Sequence, residues 1–190
     1  MGRDTALWAK QHAEDLLAPL GDRWLHSKAV GDKAADIAGR LTLPERDVLA
    51  AAGYLHDIGY APELALTHFH PLDGGRHLRT LGHERLASLV AFHSDAAEQA
   101  ELRGLTEALE DLRREGSLIA RVLDYCDMTT GPDGTAMAPA RRLADVEARY
   151  GPGHVVATGL RRAWPRLSRG IAEVDKLLLA HPQCHSWPTT

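Results

Sequence analysis

His56 and Asp57 stand side by side at the end of an apolar run, Ala50-Ala51-Ala52-Gly53-Tyr54-Leu55, and Ile58-Gly59-Tyr60 follows them. His26 lies upstream, inside Arg23-Trp24-Leu25-His26-Ser27, and Asp127 lies downstream, inside Val122-Leu123-Asp124-Tyr125-Cys126-Asp127. Neutral imidazoles and carboxylates in the order His, His-Asp, Asp are the donor types of a divalent transition metal or a mixed nitrogen and oxygen site. A metal-dependent hydrolase is the chemistry these residue types suggest.

The spacing turns these side chains inward. His26 lies four residues before Val30 and eleven before Ile37. His56 follows Ala52 by four and Leu49 by seven, and His93 stands in the same relation to Leu89 and Leu86. Asp127 follows Leu123 by four and Ile119 by eight. Each falls on the apolar side of a helix. An inward carboxylate needs a cation or a strong set of donors, because burying an unpaired charge is costly. Taken singly, an inward His is most often a hydrogen-bonded core residue, and an inward Asp caps a helix or pairs with an arginine such as Arg23 or Arg121. Four such residues in one small core are hard to satisfy that way.

The elements that must hold them read as helical almost throughout. Asp22 to Leu41 carries Leu25, Ala34, Ile37 and Leu41 at helical spacing. Thr42-Leu43-Pro44-Glu45 has the pattern of a capping box, opening a helix that runs to about Asp57 and stops near Gly59. Pro71 and Gly82 bracket a short helix, and further helices are expected over 84–93, 106–115 (mostly exposed) and 117–130. Gly131-Pro132-Asp133-Gly134 is a turn, followed by helices over 139–149 and 155–180, the second interrupted at Pro165. No alternating β-branched run predicts a sheet. The expected fold is a compact all-α bundle of six to nine helices spanning 1–190, with a metal-binding core over about 22–131, C-terminal helices over 139–180 and a loose tail over 181–190.

The bulk composition narrows the partners. A chain of 190 residues, 44% hydrophobic and 25% charged, can bury a real core as one domain. Its net charge of −4 gives no attraction to nucleic acid polymers or anionic membranes. Two cysteines, Cys126 and Cys184, cannot form a disulfide framework and point to a reducing compartment. The start of the chain shows no signal peptide and no myristoylation pattern, and no stretch reaches spanning length. A cytoplasmic protein is expected, and the sequence leaves its oligomeric state open, a homodimer included. Eleven histidines are many for this length, though His12, His154, His181 and His185 fall outside the motif region.

Arg23-x-x-His26-Ser27 followed by Ala51-Ala52-Gly53-Tyr54-Leu55-His56-Asp57-Ile58-Gly59 resembles the opening signature of the HD-domain superfamily of metal-dependent phosphohydrolases. The resemblance covers about 26–127. It implies that His26, His56, Asp57 and Asp127 bind one metal. His70-Pro71-Leu72-Asp73-Gly74 and Phe92-His93-Ser94 resemble the segments that supply a second, with Asp57, the implied catalytic residue, bridging both ions. Many members have a His-His pair where this chain has His93-Ser94, and the interval from Asp57 to His70 is short, which makes His68 an alternative to His70. Gly59-Tyr60-Ala61 is not the Gly-Tyr-Pro extension of the cyclic-di-nucleotide phosphodiesterases.

The activity implied is hydrolysis of a small phosphorylated molecule, a nucleotide foremost, with one or two divalent ions drawn from Fe, Mn, Co, Ni, Zn or Mg. Lys28 and Arg76 are the expected substrate-phosphate ligands, and Arg79 reads as a solvated charge. Asp73 and Thr130 are candidates to support the site, with helix-terminal roles equally open to them. Some members of similar ligand order hold two irons and oxidise C–H or C–P substrates, and a non-catalytic regulatory domain is a third reading.

Overall fold

Ten α-helices and two short 3-10 turns carry residues 4–94 and 96–181, the part of the chain described by the computed structural model, and among them no strand forms. The all-α class follows the periodicity, with more helices than the six to nine expected. In chain order they are α1 (Asp4–Leu17), α2 (Asp22–Arg40), α3 (Arg46–Leu55), α4 (His70–Thr80), α5 (Glu84–Ala91), α6 (Ala96–Arg103), α7 (Thr106–Glu110), α8 (Leu118–Met128), α9 (Pro139–Tyr150) and α10 (Val155–Ala180). Both α1 and α6 bury mainly alanines, Ala9 and Ala13 in one and Ala96 and Ala100 in the other, so they lack a stripe of large apolar residues. The expected tail falls, but for His181, on residues 182–190, outside those described, and Cys184 and His185 lie there as well.

Three local expectations are corrected. Thr42 forms no capping box. It takes φ 50 and ends α2, where the Leu43 N–H reaches back to the Ala38 carbonyl at 2.9 Å. Its hydroxyl donates to Leu41 O, and Glu45 begins α3 with no side-chain cap. The helix over 106–115 stops at Glu110, because Leu112 turns into the core and is 1% exposed. Pro165 does not interrupt α10. The carbonyl that loses its partner belongs to Arg161, and both residues are exposed, so water can satisfy it.

The core gathers α1 to α8 and the last turns of α10, with Leu17, Val30, Leu49, Leu55, Leu72, Val90 and Leu123 among its buried residues. A second apolar cluster joins Met128 at the end of α8 to Val146 of α9 and to Ala157, Leu160, Ala163, Leu167 and Ile171 of α10. Much of the remaining histidine has a structural place. His12 and His77 meet Nε2 to Nε2 at 2.9 Å, and Trp8 stacks on His83 at 4.3 Å, tying α1 to α4 and to the start of α5. No helix among the described residues is long and apolar enough to cross a membrane.

Two close approaches of the backbone set the geometry that follows. The helices α2 and α3 cross at Gly31 and Gly53, where a Cβ on Gly53 would come within 2.9 Å of the Gly31 Cα. After α3 the 3-10 turn Ile58–Tyr60 presses on the first turn of α4, and a Cβ on Gly59 would lie 2.1 Å from His70 O and 2.7 Å from Gly74 N. Only glycine fits there without moving α4. Gly59→Ala should therefore destabilise the protein by about 2 kcal/mol or more, measured as a shift in urea unfolding. An unchanged midpoint would show that the turn and α4 can separate freely.

Candidate metal centre

Five helices deliver six ligand-type side chains to one point. His26 projects from the second turn of α2. His56 is the last residue of α3 in helical conformation, and Asp57 follows it in the turn, at φ −103° and ψ 5°. His70 opens α4, His93 follows the C-terminus of α5, and Asp127 sits in the last turn of α8. The C-terminal ends of α3, α5 and α8 thus converge here. Helix C-termini carry partial negative charge, so a cation is favoured where they meet.

Hydrogen bonds fix the direction of the imidazoles. His26 donates from Nδ1 to the Gly131 carbonyl at 3.0 Å, His56 to Gly53 at 2.8 Å and His93 to Val90 at 2.6 Å. A carbonyl can only accept, so the single proton of each neutral ring sits on Nδ1 and Nε2 presents a lone pair. These lone pairs face acceptors. His26 Nε2 lies 3.3 Å from His56 Nε2 and 3.1 Å from Asp127 Oδ1. His70 Nε2 lies 3.3 Å from both His93 Nε2 and Asp57 Oδ1. Acceptors packed against acceptors in a dry site repel, and a cation among them removes the repulsion. Three overlapping triads could hold an ion: His26, His56 and Asp57; His56, His93 and Asp127; and Asp57, His70 and His93. Asp57 belongs to the first and the third.

The protonation states suit a metal. Burial pulls the His56 imidazole down to about 4, despite the nearby Asp57 and Asp127. Burial likewise holds His70 well below its usual range. Burial alone would raise the Asp57 carboxyl, but the Arg23 guanidinium bonded to it keeps it well below the usual carboxylate range. Burial would raise Asp127 as well, but it too is held well below that range, with the Arg142 guanidinium facing it. Neutral imidazoles and ionised carboxylates are the forms that bind divalent ions.

Further side chains hold the donors in place. Arg23, one turn before His26, donates to Asp57 Oδ2 at 2.6 Å. Its guanidinium lies 4.0 Å from the Tyr60 ring centre, and Tyr60 stacks on His70 at 4.0 Å. Ser94 donates its hydroxyl to Asp127 Oδ2, and its backbone N–H donates to Asp124. Arg166 of α10 bonds both Asp124 and the Ser94 carbonyl. Ser94 takes φ 52, a left-handed conformation for which this network compensates. In the sequence Ser94 reads only as the place of a missing histidine, and nothing there singles out Tyr60 or Arg166, whose roles depend on contacts distant in sequence.

A small cleft of about 70 Å³ opens over Asp57, His70, His93 and Asp127. Its cationic walls are Arg23, Arg142 and Arg149, and Met128, Val146, Val156 and Leu160 give it an apolar side. The expected phosphate ligands do not line it. Lys28 is bonded to Asp32 at 2.6 Å on an exposed face of α2, and Arg76 lies elsewhere on α4. Arg79 pairs with Glu84. His68 is exposed while His70 faces Asp57. Asp73 accepts from the N–H and hydroxyl of Thr67, bracing the loop into α4. Thr130 caps the end of α8, donating to Cys126 O and accepting from Lys33. Cys126 is a packed core thiol, pushed up to about 12 by burial.

A family model for the HD domain matches residues 23–129. No curated protein and no solved structure matches. The matched span runs from Arg23, the partner of Asp57, past Asp127, so it takes in all six donors described above. With more than half of its length matched, the chain belongs to the HD-domain family.

Proposed function

We propose that the protein is a metal-dependent phosphohydrolase that cleaves a phosphoester of a small molecule, a nucleotide being the favoured class. The observation that carries this reading is the conjunction of six metal-type donors with a cleft walled by three arginines. Asp57 is shared between two triads that otherwise use different histidines, so His26, His56 and Asp57 would hold one ion and Asp57, His70 and His93 a second. Bound divalent ions would lower the pKa of a water and neutralise charge on the phosphoryl oxygens.

The chain's own residues do the positioning. Arg23 keeps Asp57 ionised and fixes its rotamer, while Tyr60 holds the His70 ring from its other face. The cationic walls of the cleft favour the entry of an anionic phosphoryl group. The apolar wall excludes water from one side of it. Tyr150 lies at the edge of the cleft, 37% exposed, with His154 stacked on its ring at 5.1 Å.

A di-iron oxygenase is the second reading, favoured by the presence of both His70 and His93 beside Asp57. The arginine-lined cleft weighs toward phosphate. A complete donor set under an open cleft speaks against a purely regulatory role.

Generic phosphoesters offered with Mn, Co, Ni or Mg should release phosphate, and a chelator should abolish that release. Oxygen uptake by iron-loaded protein with no phosphate release under any of these metals would favour the oxygenase instead. Ser94→Ala removes the donor that orients Asp127, so metal affinity should fall by roughly 10-fold or more. Competition with a fluorescent chelator measures this, and an unchanged affinity would show that Ser94 does not position Asp127.

A further inference from the structure

Arg142 lies in the first turn of α9, beyond the span matched by the family, and its side chain reaches back over the metal centre. It is 9% exposed and lines the cleft. Its Nη2 stands 3.7 Å from Asp127 Oδ1 and its Nη1 stands 3.7 Å from Asp145 Oδ2, both too long for hydrogen bonds. The buried Nη1 has no hydrogen-bond partner. Burying a guanidinium N–H with no acceptor is unfavourable, so the position calls for an acceptor that enters the cleft.

The other two cleft arginines are already committed. Arg23 is bonded to Asp57 at 2.6 Å, and Arg149 is paired with Asp145 at 2.7 Å. Arg142 faces Asp127 and Asp145 at ion-pair distance without a hydrogen bond to either, which leaves its Nη1 donor for an acceptor in the cleft.

Building on the phosphohydrolase reading above, we propose that Arg142 binds a non-bridging oxygen of the substrate phosphoryl group and that the substrate is a phosphomonoester. The cleft over the donors is small and open at its mouth. A monoester sends its one substituent out through the mouth of the cleft, past Tyr150. A monoester also presents three non-bridging oxygens and close to two negative charges at neutral pH. That matches a forked, permanently charged donor beside the metal-type residues.

The test is calorimetric titration of inorganic phosphate into the Mn-loaded full chain, with metal content measured on every sample. R142Q should weaken phosphate binding by about tenfold or more at unchanged metal content. R142K keeps the positive charge facing Asp127 and loses the fork. It should retain the wild-type melting temperature and still bind phosphate more weakly, which separates phosphate recognition from folding. Either folded variant binding phosphate as tightly as wild type would overturn the assignment, as would a wild-type protein that binds none. Faster hydrolysis of diesters than of monoesters would overturn the substrate class. Absence of phosphate release from every ester would count against the phosphohydrolase reading, while the phosphate titration would still judge Arg142 by itself.

Discussion

Two carboxylates and three imidazoles with their acceptor atoms turned toward one another share one buried site with His70, and the rest of the molecule is arranged around that constraint. The rings of His26, His56 and His93 are tethered through Nδ1 to backbone carbonyls, so their Nε2 atoms have nowhere else to point. Without a cation, Asp127 Oδ1 and His26 Nε2 at 3.1 Å would be a cost to folding. With one, the same contacts become ligation, and folding and metal binding are coupled.

Bringing the donors together requires backbones that pass unusually close. Gly31 and Gly53 let α2 and α3 cross so that His26 and His56 meet. Gly59 lets the turn after Asp57 press on the start of α4, which brings His70 against Asp57 Oδ1. The helix ends contribute charge as well as position, since three C-termini point into the site. The C-terminal helices then act from outside. Through Arg166, α10 braces Ser94 and hence Asp127, while α9 lays Arg142, Val146, Arg149 and Tyr150 along one wall of the cleft.

The donors were readable in the sequence because each stands at helical spacing from apolar neighbours, and periodicity reports which side of a helix is inward. The helices over Asp22–Arg40, Pro139–Tyr150 and Val155–Ala180 were readable for the same reason. Periodicity says nothing about which loop or helix comes to lie over the site. Lys28 and Arg76 are close to the donors along the chain but outside the cleft, whereas Arg142 and Arg149 are distant along the chain and line it. The capping-box pattern at Thr42 failed because ending α2 and starting α3 compete for the same residue, and the left-handed turn after α2 prevails. Ser94 and Tyr60 have ordinary sequence contexts, and only the packing of α5, α8 and α4 gives them their roles.

The most direct measurement is the number of divalent ions held per chain, by elemental analysis of protein purified without chelator or added histidines and then saturated with Mn or Fe. A site in which Asp57 is shared by two triads predicts two ions per chain. A single ion would contradict the shared role of Asp57, and no ion at saturation would contradict the account as a whole, leaving the buried His and Asp cluster as core architecture.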